Sequence, residues 1–234
     1  METFKGFPEA GLRFLDELTL NNNRPWFEAR KQDYINYIQT PARAFVAALG
    51  EKLSKLSAGV HYDTRLDGSG SLMRIYRDVR FSKDKSPYKT NVGILFWEGE
   101  RKKTENPGFY FHIENGEATM YDGLYTFPKP VLPAFREAVM DERFGDELVK
   151  AIETVKKSGY QVGGESLKRV PSGFDPAHPR ADLLRHTTLY AESPKIAPKI
   201  LASPQLVDVC FEHCRNMLPL HRWLVALNER AGSE

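Results

Sequence analysis

Four segments with the pattern of β-strands follow one another between residues 71 and 125, and the links between them are short. The stretches are SLMRIYRDVRF, NVGILFW, FYFHIE and EATMYDGLY, and each alternates or is continuously apolar. Asn115-Gly116, between the last two, is a strong signal for a two-residue hairpin turn. Strands joined by short links pair antiparallel. The block therefore predicts an antiparallel sheet of four or more strands over about residues 71–125.

Helical patterns flank this block on both sides. Apolar side chains recur at helical spacing in residues 8–57 before it, and in residues 130–158 and 203–230 after it. A further strand at residues 186–192 is expected to join the sheet. Helices, then strands, then helices, with no linker between them, indicate a single α+β domain over residues 1–234. In this domain the sheet packs against the N-terminal and C-terminal helices.

Composition narrows the class of protein. Apolar residues make up 41% of the chain and charged residues 27%, which fits a folded protein with a sizeable core. The formal net charge of +2 is small for a dedicated nucleic-acid binder, so an anion site must be local. The longest apolar run, Ile94–Trp97, is too short to cross a membrane. We therefore expect no membrane contact. Cys210 and Cys214 are too close to join distant segments, so we expect a reducing, cytoplasmic setting.

The densest charge lies in RDVRFSKDKSPYKT, residues 77–90, with Arg74 just before it. Guanidinium groups bind carboxylate or phosphate in a bidentate way, and hydroxyls on a proline-containing loop add donors. We therefore predict a site for an anionic ligand in residues 74–89. The predicted ligand-binding residues are Arg74, Arg77, Arg80, Lys83, Lys85, Tyr88 and Lys89.

Strand alternation places Arg77 on the apolar face with Ile75, so its side chain is expected to be partly buried. A partly buried guanidinium needs a partner, and the expected partners are acidic residues of the first helices. These residues are Asp16, Glu17 and Glu28. An internal ion pair of this kind is also the basis of a purely structural interpretation of the motif.

The nature of the ligand and of any reaction stays open. A phosphate, a carboxylate-bearing metabolite or a short stretch of nucleic-acid backbone fits the charge. If the site is catalytic, Asp78 and His112 are the candidates for general acid or base. An alternative is a protein-interaction module whose basic loop contacts an acidic partner. Asn22, Asn23 and Arg24 border the site if the first helix junction docks there.

Two cysteines and two histidines lie close together in sequence near the C-terminus. Cys210-x-x-His213-Cys214, with His221 two turns later, contains residue types that bind metal. The cysteines, however, fall on an apolar helical stripe with Val207, which is typical of core residues. We predict no metal site and no cofactor, and the oligomeric state stays open.

The run RIYRDVRFSKDKSPYKT, with NNNRPWFEARKQDY before it and GFYFHIE after it, resembles an uncharacterised bacterial family. This is the conserved hypothetical family called domain of unknown function 2461, and the resemblance covers nearly the whole chain. The hallmark is Arg-x-x-Arg-Asp-x-Arg-Phe followed by Asp-Lys and Tyr. It maps onto Arg74, Arg77, Asp78, Arg80, Phe81, Asp84, Lys85 and Tyr88. The resemblance implies that the charged strand and loop define the family, and it implies no activity.

Overall fold

A computed structural model describes residues 3–232 and shows an α+β fold built on one six-stranded antiparallel sheet, as the sequence predicts. The strands lie in the order β1-β2-β3-β4-β6-β5. Their bounds are β1 Val60–His61, β2 Val92–Glu98, β3 Gly108–Glu114, β4 Glu117–Leu124, β5 Gln161–Glu165 and β6 His186–Glu192.

Helices occupy the chain before and after the central strands. Their bounds are α1 Glu9–Leu20, α2 Arg24–Ala29, α3 Lys31–Tyr34, α4 Thr40–Leu56, α5 Val131–Met140, α6 Glu142–Lys157, α7 Pro198–Leu201 and α8 Leu206–Arg230. A π-helical turn, Ile35–Gln39, joins α3 to α4. Within the described residues, none of these helices combines the length and the apolar character that a membrane crossing requires.

Two local predictions for the sheet are confirmed. Strand β6 pairs antiparallel with β4, with Gly123 opposite Tyr190, so residues 186–192 do join the sheet. The turn between β3 and β4 has positive φ at both central residues, 52° at Asn115 and 74° at Gly116. Two positive φ angles in a two-residue loop match the right-handed twist of the strands that it joins.

The prediction of a strand over residues 71–81 is wrong. This segment forms only isolated bridges, Leu72 with Ile94 and Tyr76 with Tyr88. Four residues separate the two bridges on one side and six on the other, so their register differs by two residues. The change of register is the physical reason, because the bonds of the second bridge, from Arg77 N–H to Pro87 and from Lys89 N–H to Ile75, cannot continue into the first bridge as one ladder. The backbone N–H and C=O of Tyr88 point away from this segment and bond to the Asn22 side chain, at 3.0 and 2.9 Å.

Two compact units can be distinguished in the chain by their internal packing. The first comprises the chain up to Phe96 with Tyr110–Thr119 and Lys195–Glu212. Its core is rich in aromatic rings, and the ring of Phe111 lies 4.7 Å from Phe45 and 6.0 Å from Phe7.

The second unit comprises Trp97–Phe109, Met120–Pro194 and the chain from His213 onward. Its core contains Trp223, stacked 4.7 Å from Phe144 and meeting Phe135 edge-on. The single-domain organisation stays a prediction, and its boundaries at residues 1 and 234 lie outside the described residues.

Candidate functional site

The residues predicted to bind an anion lie in a loose hairpin, residues 74–89, which we call the basic loop. Its ends are held by backbone hydrogen bonds from Arg77 N–H to the Pro87 carbonyl and from Lys89 N–H to the Ile75 carbonyl. Pro87 cannot donate a hydrogen bond of its own, which helps to keep the pairing short. The basic loop is therefore extended but irregular.

Asn22, at the junction between α1 and α2, anchors the basic loop. Its side chain bonds to both backbone groups of Tyr88, and the Tyr88 ring stacks 4.1 Å from Phe27 of α2. Asn23 caps α2 by accepting a hydrogen bond from Trp26 N–H. The helix junction thus docks on the basic loop, and Asn22 takes the bordering position expected for it.

Arg77 is paired within its own loop. Its side chain is 29% exposed, and it donates to the Asp84 carboxylate and to the Ser86 carbonyl. The expectation of a partner among Asp16, Glu17 and Glu28 is therefore wrong. Sequence could not identify Asp84, because the pairing depends on how the chain between the two residues, which are seven positions apart, folds back.

Asp84 is held in its charged form by several donors. Hydrogen bonds from the Ser86 hydroxyl and N–H, at 2.6 and 2.9 Å, and from Arg77 keep the pKa of this carboxyl well below its usual range. Asp84 therefore stays ionised, and its negative charge offsets the positive charge of Arg77.

Arg80 is also engaged locally. It is 75% exposed and forms a fork with Asp78, with distances of 2.9 and 2.7 Å from its Nε and Nη2 atoms. The hydrogen bond from Arg80 lowers the pKa of Asp78 to about 2. Lys85 folds back to donate to the Val79 carbonyl at 3.0 Å. These contacts fix the shape of the loop tip.

A cavity of about 400 Å³ opens beside the basic loop. It combines two cations with several neutral donors and one carboxylate. Its lining consists of Thr19, Asn22, Arg77, Asp84, Ser86, Tyr88, Lys89, Thr90 and Asn91. Among the predicted ligand-binding residues, the structure brings Arg77, Tyr88 and Lys89 together at this cavity.

The other predicted residues are not part of the cavity lining. They are Arg74, Arg80, Lys83, Lys85 and the two catalytic candidates, Asp78 and His112. His112 lies on β3, with its Nδ1 atom 3.4 Å from the Tyr110 hydroxyl and its Nε2 atom 3.7 Å from Glu114. Burial lowers the pKa of His112, although Glu114 opposes the effect. A catalytic role for either residue stays a prediction.

Lys89 is the least compensated cation at the cavity. Burial lowers its pKa, and the nearby guanidinium of Arg74 lowers it further. Among the residues that the structure describes, no carboxylate lies within ion-pair distance of Lys89. A bound anion would stabilise the charged form of Lys89 and so counter the effects of burial and of repulsion from Arg74.

Thr19 and Asn91 line the cavity and were missed at the level of sequence. Thr19 lies in the last turn of α1, and its hydroxyl donates to the Leu15 carbonyl at 3.0 Å. No local pattern distinguishes such a residue from an ordinary helical threonine. Only the docking of the helix junction brings it beside the basic loop.

The second unit contains a group of buried charges that we call the His221 cluster, formed by Glu98, Asp122 and His221. The imidazole of His221 is bonded to Asp122 at Nδ1, 2.6 Å, and to Glu98 at Nε2, 2.9 Å, and the Phe109 ring stacks on it at 4.2 Å. Burial alone would lower the pKa of His221, but the two carboxylates outweigh it and raise this pKa to about 9. His221 is thus a buried imidazolium.

The sequence does contain a signal for this cluster. In β4, Ala118, Met120 and Leu124 are buried at alternate positions, and Asp122 falls in the same register. An acid at an inward-facing position of a strand indicates a buried partner. The Oδ2 atom of Asp122 has no hydrogen-bond partner among the described residues.

The cysteine-histidine segment of α8 has an ordinary structural setting. Cys210 and Cys214 are both fully buried, and neither forms a disulfide. Burial raises the pKa of the Cys210 thiol well above its usual range. His213 has its Nδ1 atom 2.8 Å from the Tyr160 hydroxyl. Among residues 3–232, no group of three or more His, Cys, Asp and Glu side chains has an arrangement suited to a metal ion.

Comparison with known families gives one match that spans most of the chain. The model of the conserved hypothetical protein family DUF2461 matches residues 10–223. The matched region includes the helix junction, the basic loop and the His221 cluster. A search among curated proteins gave no match.

Proposed function

The chain belongs to the conserved hypothetical protein family DUF2461, and from the geometry of the cavity we propose that it binds a small anionic group, a phosphate or a carboxylate, beside Lys89. The observation that carries this proposal is the position of Lys89 and Arg77 at one 400 Å³ cavity. The side chains of Thr90 and Asn91 add neutral donors to the lining.

The charge balance of the lining favours an anion, although modestly. Arg77 and Lys89 supply two positive charges and Asp84 one negative charge, which leaves a net charge of +1. The ammonium group of Lys89 has a lowered pKa because burial and Arg74 disfavour its charged form. An anion that bonds to this ammonium group relieves both effects, which is a specific reason for binding at this position.

The proposal differs from a site built on converging arginines. Arg77 and Arg80 are each paired with an aspartate of the same loop, which favours the structural role that the sequence left open for them. We infer that the two ion pairs shape the basic loop, and that Lys89 together with neutral donors contacts the ligand. Two or three charge-assisted hydrogen bonds, less the cost of association, give a dissociation constant on the order of 1 mM for a bare phosphate.

A cytoplasmic location is part of this proposal. The supporting observation is that Cys210 and Cys214, both in α8, are fully buried and form no disulfide. A reducing compartment suits buried thiols of this kind.

The test is a titration with inorganic phosphate, followed by NMR of the backbone amides of residues 88–91. We expect saturable shifts in the parent protein and a dissociation constant about tenfold larger in Lys89→Gln, because one charge-assisted hydrogen bond is lost. Lys102→Gln is the matched control, since Lys102 is 85% exposed and does not line the cavity.

Two results would refute the proposal. One is the absence of shifts at these amides at phosphate concentrations well above the expected dissociation constant. The other is an equal response of the parent protein and Lys89→Gln.

A further inference from the structure

The tip of the basic loop presents aromatic rings to solvent. The Phe81 side chain is 95% exposed and the Tyr76 side chain 49%, whereas Tyr88 in the same segment is only 2% exposed. Exposing a phenylalanine in this way has no advantage for folding, because its apolar surface gains nothing from water. An exposed ring among cations is a feature of surfaces that stack unpaired bases.

One cation lies beside an exposed ring, and others are close in sequence. The guanidinium carbon of Arg80, held in place by Asp78, lies 5.8 Å from the centre of the Phe81 ring. Within the described part of the chain, neither Arg74 nor Lys83 has a carboxylate within ion-pair distance. Residues 74–89 contain six basic and two acidic side chains, so the segment concentrates positive charge in a chain whose formal net charge is only +2.

We propose that this surface binds single-stranded nucleic acid, with a base stacked on Phe81 and a backbone phosphate in the cavity beside Lys89. The proposal rests on the anion-binding function proposed above, since the cavity supplies the phosphate contact. Phe81 precedes Asp84, which lines the cavity, by three residues, so their Cα atoms are at most about 11 Å apart. A strand of a few nucleotides can bridge that distance.

An anionic membrane surface is the competing partner for basic residues with an exposed aromatic ring. Two observations favour nucleic acid. The apolar surface at the loop tip consists of few rings, and Asp78 and Asp84 beside them have pKa values lowered by hydrogen bonds to Arg80 and Ser86. Both carboxylates therefore stay ionised, and they would have to enter the interfacial region of an anionic membrane. In solution beside a nucleic-acid strand they keep their water and their Arg partners.

Fluorescence anisotropy with a labelled oligothymidylate of about twelve nucleotides tests the proposal, because sites of this kind cover about 4–16 nucleotides. We expect saturable binding by the parent protein and about tenfold weaker binding by Phe81→Ala, since one stacked base is lost. Tyr125→Ala is the matched control, because Tyr125 is 88% exposed and lies outside the basic loop. It should bind like the parent protein.

Salt dependence provides a second readout that a merely structural role of the loop would not change. Three cations that contact phosphates, Arg74, Lys83 and Lys89, predict a slope of log K against log salt concentration of about −2 for a single strand. Lys83→Gln should make this slope shallower by about 0.7.

The outcomes separate this inference from the function on which it rests. Phe81→Ala should bind inorganic phosphate like the parent protein. If phosphate binds but the oligonucleotide does not, or if Phe81→Ala and the parent protein bind it equally, the inference is overturned and the anion site stands. If phosphate fails to bind, both are overturned. Binding to vesicles with anionic lipid, with no binding to the oligonucleotide, also overturns the inference in favour of a lipid surface.

Discussion

The basic loop and the His221 cluster use the same chemistry, carboxylates paired with cations, in opposite settings. In the basic loop, the partners are two and seven residues apart in sequence, and the Asp78 and Asp84 side chains are 43% and 60% exposed. In the His221 cluster, the partners are 99 and 123 residues apart, and Asp122 and His221 are fully buried.

This difference separates two roles of an ion pair. An exposed pair between near neighbours gains little free energy, because water and salt screen it, but it selects one shape for a loop. A buried pair between distant segments lies where water cannot replace a lost partner, so removing one member leaves an uncompensated charge. We therefore expect the His221 cluster to determine stability and the basic loop to determine what the surface can bind.

The strongest test of this contrast is His221→Gln. Removing the imidazolium leaves the carboxylates of Asp122 and Glu98 without their shared cation in a buried site. We expect the free energy of unfolding, measured with urea, to fall by about 3–5 kcal/mol. The control is Lys102→Gln, at a position that is 85% exposed, which should change it by less than about 0.5 kcal/mol. Similar losses in the two variants would show that burial does not distinguish the regions.

A second test uses pH. The pKa of His221 is raised from its ordinary value of 6.5 to about 9 in the folded protein, so its stabilising contribution is complete below pH 6.5 and is lost as pH rises through about 9. The part of the unfolding free energy that depends on His221 should fall by about 3 kcal/mol over this range. It is measured as the difference between the parent protein and His221→Gln in urea titrations at several pH values. A difference that stays constant with pH would contradict a buried imidazolium.

The smallest effect on stability is expected for Arg80→Ala, because Arg80 is 75% exposed and pairs within its own loop. The urea midpoint should not change measurably. The pKa of Asp78, now about 2, should rise toward its ordinary value of 3.8 when the Arg80 hydrogen bonds are lost. NMR titration of the Asp78 carboxyl carbon measures this shift. A clear loss of stability would place this ion pair in the same class as the His221 cluster.

The sequence predicts best where structure depends on near neighbours. The Asn115-Gly116 turn follows from two residues that both adopt positive φ, and the strand expected over residues 186–192 is found as β6. Helical spacing likewise locates α4, whose buried residues, Phe45, Val46 and Leu49 among them, lie on one face.

The prediction fails where structure depends on how separate segments pair and dock. Alternation in residues 71–81 indicates a strand, but the segment pairs in two different registers, at Leu72 and at Tyr76, that do not join into one ladder. The candidate site shows the same limit. Lys89 is identified by its charge, whereas Thr19 reaches the cavity only through tertiary docking. Asp122 could have been noticed, since it occupies an inward position in β4.

The clamp between Asn22 and Tyr88 also has a consequence for the order of folding. It closes a stretch of 66 residues, so the chain loses considerable loop entropy before the two hydrogen bonds can form. Contacts with so large a sequence separation tend to form late. The cavity should therefore be among the last features to mature, and a nascent chain would acquire its binding surface only after α1, α2 and the basic loop have met.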